Sequence, residues 1–458
     1  MNSRDNEILS YSKLIRKPLV SDSNTLHPRW ILLILISIIS LINSLSNSVS
    51  TSLQTPLTAA LNLTTNDFQA LQQAIFGLSA FTPIVIGLII DYYDLNRYYA
   101  FIPGVFALGQ GLLTLGAGIS TWALIVLGRI LSGIATTALN VLNAVLLTKL
   151  FSGKELSLAF GTSFAALEAG TFIGKYLAQG ILNLSQQLYM PFLLGSFLAI
   201  ISLFTLLYIL GLAQKAARQL PSEFTNQNRS ISSLFRSLQT FRTAYILVVL
   251  GISCYTGAFY GLSYDPLGLL INKFNLSAAQ AASTANLYTM VFPGILAGIT
   301  GYFIDQIGMR VRILAIIFGL FFLSAGILTG IPGDAPSFIV ILLCLAVGIQ
   351  YGVFQGILWP CVALTTEEKM TGIAFGIVYS VVNFGLWAWY QISLIPDPER
   401  LANNIIVIVT AILGGGLTYW LYQVDKREEQ RRLERSGTER GALNERTYQS
   451  PFYDDEDE

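Results

Sequence analysis

The chain has 458 residues, 53% of them hydrophobic and only 12% charged, with a mean hydropathy of +0.59 and zero formal net charge. That balance excludes an ordinary soluble domain, and the lack of a basic patch interleaved with aromatics excludes nucleic acid as a partner. A single histidine in the amino-terminal tail and three cysteines, all inside apolar runs, exclude a disulfide framework, histidine relays and most metal sites.

The first 28 residues are polar and mixed in charge, unlike a cleavable signal peptide. They are expected to form a cytosolic tail, with the first helix as the insertion signal. Twelve apolar segments follow, at 30–52, 68–90, 98–118, 122–148, 157–182, 190–212, 243–270, 279–304, 311–330, 337–363, 372–394 and 402–423. Each is long enough to cross ~30 Å of hydrocarbon as a helix. The polar stretch 213–242, with Pro221 and a Ser/Asn/Gln-rich centre, is expected as a cytosolic linker dividing them six and six. Residues 424–458 pass from mixed charge to the acidic YDDEDE and are expected to be a disordered cytosolic tail, helical where it leaves the last span.

Charge position sets the orientation. With both termini in the cytosol, eleven lysines and arginines fall in cytosolic loops, and only Lys273 and Arg400 in the opposite ones. The sequons at Asn62, Asn183 and Asn275 fall on the non-cytosolic side, whereas Asn228 does not.

Three charges interrupt the apolar pattern. Arg129 lies in GRILSG, and Glu168 and Lys175 interrupt the fifth segment. An ionised group at mid-membrane costs ~2.5–3.5 kcal/mol on insertion scales, so it is expected to face a partner or a watery cavity. Glu168 and Lys175 are seven residues apart on one helix face, so ~10 Å separates them along the axis. One acid below two bases suits a ligand with an amine and a carboxylate; the competing reading is an internal network of Glu168 with Arg129 or Lys175 that fixes packing.

The loop after the second segment reads GLIIDYYDLNR and the one after the eighth GYFIDQIGMRVR. Gly87, Asp91 and Arg97 thus recur as Gly301, Asp305 and Arg310, with Gly308 between, at an offset of 214 for the glycine and the aspartate. A repeated motif at matching places predicts an all-α integral membrane fold, 12 transmembrane helices as two pseudo-symmetric six-helix bundles over 29–212 and 243–423. Glycine permits close helix approach, and Asp and Arg can latch the cytosolic side when the cavity opens outward.

These motifs resemble the major facilitator superfamily. The second copy matches its G-x-x-x-D-x-x-G-x-[RK] loop; in the first, Asp94 takes the second glycine's place and Arg97 comes one position late. Arg129 followed by Gly133 resembles the superfamily's helix-four arginine motif. FSGKELSLAFG, AAQAASTANLYTM and LWPCVA with GIAFGIVYSVVNFG are similar to the lysosomal dipeptide uniporter branch. That resemblance implies export of dipeptides from lysosomes beside a single-span glycosylated accessory membrane protein. Thr137 stands where the branch carries an acid, and Glu168 where it carries an arginine. Leu14-Ile15 is a dileucine-like pair with Ser10 at the acidic position.

Helical spacing draws polar stripes on four segments: Asn43, Asn47, Ser50 and Gln54; Arg129, Gly133, Thr136, Asn140 and Asn143; Ser253, Gly257, Tyr260 and Tyr264; Tyr351, Gln355 and Trp359. The resemblance places these four helices around the central cavity. For a single residue, bonding between helices is the commoner role; for the four stripes together, cavity lining is expected. Asn383, in the third similar fragment, joins the expected substrate set. Helix breaks are expected at Tyr264–Gly268 and Trp359-Pro360. The reading is a carrier of small organic solutes, a dipeptide or amino-acid facilitator working by alternating access in a lysosomal, endosomal or vacuolar membrane. Its alternatives are a plasma-membrane location, a proton-coupled organic-anion carrier, and a non-transporting receptor or scaffold. No paired carboxylates, nucleophile elbow or nucleotide loop marks an enzyme, and no cofactor or metal is expected.

Overall fold

A computed structural model describes residues 28–63, 67, 77–93, 97–151, 155–217, 241–263, 266–367, 370–393, 401–427, 431–437 and 439. Their regular elements are helices, without a strand among the described residues: α1 (Pro28–Ser52), α2 (Thr82–Tyr93), α3 (Phe101–Gly118), α4 (Trp122–Leu150), α5 (Leu156–Ser185), α6 (Tyr189–Ala217), α7 (Thr243–Ser263), α8 (Ala278–Ile307), α9 (Arg310–Gly330), α10 (Ser337–Thr365), α11 (Thr371–Ser393) and α12 (Leu401–Arg427). Eleven of these are long and apolar enough to cross a membrane. The twelfth, α2, belongs to the shorter apolar helix Gly77–Tyr93, and most of the rest of its expected segment lies outside the described residues.

The polar residues inside these spans do not break them, because most hydroxyls are satisfied locally. Ser48 donates to Leu45 O, Thr148 to Ala144 O and Thr418 to Gly414 O, each within its own helix. At the start of α8, Ser277 accepts the N–H of Gln280, a capping pair that the sequence carries as Ser-x-x-Gln.

Two compact units emerge, and neither follows one half of the sequence. The first draws on Met1–Leu150, Ala166–Phe241 and Glu368–Pro398. Here α3 packs on α4 and α6, α1 on α6 and α4, and α11 on α2 and α4. One of its cores, around Val49, Leu53, Leu113, Ile125 and Phe192, holds α1, α3, α4 and α6 together. The second unit draws on Phe151–Ala165, Arg242–Glu367 and Glu399–Glu458. In it α7 packs on α12 and α10, α8 on α10, and α9 on α10 and α12. Each unit thus includes one segment from the opposite half of the chain: α11 in the first and the opening turns of α5 in the second.

Two expectations change. α7 does end at Ser263, before a short helical turn and the π-turn Leu269–Lys273, but α10 runs unbroken through Pro360. The tail expected to be disordered past its helical exit is instead described at 431–437, where Leu433 is fully buried, while 424–427 complete α12. An apolar side chain among charges supplies the anchor that composition alone hides. Tyr264, Asp94, Lys154, Leu14-Ile15, Arg400, most of the linker at 218–240 and the tail beyond 440 lie outside the described residues.

Lys273, one of the two expected non-cytosolic bases, donates to Leu328 O at 3.3 Å and Thr329 O at 2.7 Å. Its ammonium thereby caps the carboxyl end of α9, where a cation complements the helix dipole. Burial pushes it below the ordinary lysine value.

Candidate functional site

The repeated motif builds two matching latches. In the first unit, Asp91 at the end of α2 accepts the N–H of Gly372 through Oδ1 at 2.8 Å and that of Ile373 through Oδ2 at 2.7 Å. These are orphan donors in the first turn of α11, so the carboxylate caps that helix. In the second unit, Asp305 at the end of α8 accepts the N–H of Leu158, in the first turn of α5, at 2.9 Å. Arg310 Nη2 donates to Asp305 Oδ1 at 2.9 Å and to Ser157 Oγ at 3.0 Å. Both aspartates are buried, and Arg310 is fully so.

The motif glycines explain why the helix ends can come this close. A Cβ on Gly87 would sit 2.2 Å from Gly372 O, and one on Gly301 would sit 2.2 Å from Ser157 O. Arg97 opens a tight turn after α2, and its side chain lies outside what is described. Sequence reasoning found both aspartates and missed their partners, which are mostly main-chain groups and leave no residue-type signature.

The charged face of α5 is set by its contact with α1. Cβ atoms on Gly170 and Gly174 would strike Leu41 O at 2.2 Å and Leu45 O at 2.5 Å, and Thr171 and Ser44 share a hydrogen bond. With ~100° per residue, Glu168 and Lys175 share a face roughly 130° around from those glycines. Neither makes a hydrogen bond or an ion pair among the described residues.

Arg129 is placed elsewhere. Its Nη1 donates to Asn47 O at 3.4 Å and Asn47 Oδ1 at 3.5 Å. Asn47 Nδ2 donates to Thr136 Oγ1 at 2.6 Å, and Asn143 Nδ2 to Ser40 Oγ at 3.2 Å. The polar stripes of α1 and α4 therefore meet each other along one antiparallel seam. Thr137 bonds back to Ile134 O at 2.9 Å, and Asn383 on α11 to Tyr379 O at 2.8 Å. Asn140 is half-buried and makes no side-chain hydrogen bond among the described residues.

In the second unit the candidate aromatics form a ladder between α7 and α10. Tyr351 stacks on Phe259 with centroids 3.6 Å apart, and Phe354 on Tyr255 at 3.9 Å. Tyr260 meets Tyr351 edge-on at 6.4 Å, and Phe164 of α5 does the same at 6.3 Å. Trp359 Nε1 donates to Gln355 Oε1 one turn back. Of this set Tyr260 is the most open, and Tyr351 and Gln355 are buried. Tyr255 and Phe259 were not expected, since their spacing alone reads as core.

A helical chain with paired capping latches matches one family. The model of the Major Facilitator Superfamily aligns with residues 36–388. The chain belongs to the major facilitator superfamily. Among curated relatives, the lysosomal dipeptide transporter MFSD1 of Gallus gallus is 25% identical over 287 residues, covering 61% of this chain and 63% of that protein. Its Homo sapiens counterpart is 25% identical over 292 residues, covering 61% and 60%. The match thus spans less than two thirds of either relative's length. Among superfamily structures, the transporter FucP in the outward conformation aligns with TM-score 0.65 at 17% identity, covering 86% of this chain and 99% of that one. The human organic anion transporter MFSD10 aligns with TM-score 0.64 at 15% identity, covering 87% and 100%. That likeness shows the fold: an all-α, multi-pass membrane protein of the superfamily's two-bundle, twelve-helix architecture.

Proposed function

We propose that this superfamily member carries a small zwitterionic solute, a dipeptide or amino acid, by facilitated alternating access. The observation that supports it is the α5 face, where Glu168 and Lys175 lie on one side of the helix and neither makes a hydrogen bond or an ion pair among the described residues. Seven residues separate them by ~10 Å along the axis, a span suited to an amine at one end and a carboxylate or peptide carbonyl at the other. Unpaired charges at that depth are expensive, which argues for a partner supplied by solute. The names of the curated relatives favour dipeptides and a lysosomal membrane.

In this reading Asp91 and Asp305, with Arg310, latch the helix ends in one state of the cycle, while Asn47, Thr136 and Arg129 hold α1 against α4. Asn140, half-buried and on the polar stripe of α4, is a secondary ligand contact. The test is counterflow into proteoliposomes preloaded with dipeptides, free amino acids or organic anions. Uptake of a labelled dipeptide should be driven by the first, in part by the second, and unaffected by collapsing a pH gradient. Uptake driven by organic anions alone, or strictly dependent on the gradient, rules the proposal out.

A further inference from the structure

The second latch is held by a further piece of chain. After α12 the backbone turns back through Arg431, whose φ of 60° is left-handed and whose N–H bonds Asp425 O at 2.8 Å. Buried Asp425 then accepts the N–H of Leu433 at 3.0 Å, and the Leu433 side chain is fully buried. The strap so formed lies on the loop that carries the motif. Glu434 O accepts the N–H of Met309 at 2.9 Å, and Glu434 Oε1 accepts those of Val311 at 3.0 Å and Arg312 at 3.3 Å. Glu434 Oε2 lies 2.8 Å from Arg312 Nε.

α9 has no cap of its own: its N-cap residue is Met309, with φ 53°, and gives no side-chain cap bond. Glu434 therefore supplies, from more than a hundred residues downstream, the anion that a helix amino terminus prefers. Gly308 has φ 74°, and a Cβ there would lie 2.4 Å from Glu434 O, so the motif's second glycine is shaped to the strap. Arg310 closes the circuit. Its Nη1 donates to Arg435 O at 2.9 Å and reaches Leu433 O at 3.5 Å, while its Nη2 serves Asp305 and Ser157. One buried guanidinium is shared between strap and latch.

We propose that residues 431–436 are a clasp: docked on the loop between α8 and α9, they orient Arg310 toward Asp305 and thereby hold the α5 amino terminus latched. Releasing the strap frees Arg310 to turn, and the latch opens more often. This inference rests on the reading of Asp305 as a latch.

The test uses full-length protein purified in detergent, with Ala159, fully buried in the first turns of α5, replaced by cysteine as a reporter of latch opening. Maleimide labelling is timed in that background, in Asp305→Asn, in Glu434→Gln, and in chains ending after residue 430 or after residue 440. Asp305→Asn should speed labelling, which checks the latch itself. Glu434→Gln and the chain ending at 430 should each speed it roughly tenfold, the scale of one lost charge-assisted hydrogen bond, and the chain ending at 440 should match the parent. If Asp305→Asn speeds labelling but Glu434→Gln does not, the clasp is wrong and the latch stands. If Asp305→Asn has no effect, the latch reading itself fails. Equal acceleration in the two truncations, or equal acceleration at a control cysteine replacing Ala117 of α3, reports general loosening and also overturns the clasp.

Discussion

Asp91 holds Gly372 by two routes at once: its Oδ1 accepts the Gly372 N–H at 2.8 Å, while the same glycine's missing Cβ leaves room for Gly87 O and the carboxylate. Both carboxylate oxygens are used, the second on Ile373 at 2.7 Å. Asp305 spends one oxygen on Leu158 and the other on Arg310. These two bonds of the first latch go to main-chain groups, and the second latch is also tied to a side chain.

An amide at either aspartate accepts through one atom and presents N–H groups to donors with the other. Asp91→Asn and Asp305→Asn should each weaken the latched state by ~1.5–3 kcal/mol, the range for a hydrogen bond to a charged group. Transport should slow while ligand affinity stays within a few fold, because neither residue is expected to touch solute. Paired equilibrium-binding and initial-rate measurements check this; a large affinity loss with normal turnover contradicts it.

The close approach at the first latch can be probed without touching charge. A Cβ on Gly372 would lie 2.5 Å from Gly87 O and 2.7 Å from Asp91 Oδ1. Gly372→Ala must push α2 and α11 apart, stretching both Asp91 bonds at a cost of ~1–3 kcal/mol for overpacking. Its transport defect should mirror that of Asp91→Asn. Gly415→Ala on α12 meets nothing within 4 Å and should be neutral or slightly stabilising, since alanine is the better helix former. Equal melting temperatures for Gly372→Ala and the parent sink the steric account.

How far the sequence carried depended on whether a residue's partner was a side chain or a backbone. Asp305, Gly308 and Arg310 were legible because the motif fixes residue types at fixed spacing. Gly372 and Leu158 were not, since what they offer is an N–H that any residue has. The stripes on α1 and α4 were legible as polar faces, yet spacing cannot tell whether such a face meets water or another polar helix. Asn47, Thr136 and Arg129 show that here much of it meets the neighbouring stripe. Glu434 was hidden in an alternating run of charges, where one acid resembles the next until Leu433 buries beside it. The twelve helices were plain because hydrocarbon demands ~20 apolar residues for each crossing, a signal that chance seldom imitates.

Membrane orientation rests on eleven cytosolic bases against two, and Lys273, one of the two, is accounted for by its cap on α9. Both termini should therefore face the cytosol. Protease treatment of sealed vesicles with the cytosolic face outward should remove an epitope placed after residue 458. Full protection of that epitope inverts the topology.

Substrate recognition is the sharpest consequence of the α5 face. Glu168 makes no hydrogen bond among the described residues, and Lys175 lies two helical turns away, so the carboxylate is expected to take the ligand's amine and the ammonium its carboxylate or carbonyl. A charge-assisted hydrogen bond contributes ~1.5–3 kcal/mol, so Glu168→Gln should weaken binding of a free dipeptide by roughly ten- to a hundredfold. The matching N-acetylated dipeptide has no ammonium to lose, and its already weaker binding should change little. Lys175→Gln should show the reverse pattern, hurting free-acid ligands more than their amides. Were the two charges instead a packing device, either variant would melt earlier without ligand and leave the ratio of affinities for free and blocked peptides as it was. Binding isotherms for free, N-acetylated and C-amidated forms of one dipeptide, measured beside the melting temperature of each apo variant, separate the two cases. Equal loss for free and acetylated ligands in a variant of normal stability removes Glu168 from the amine site.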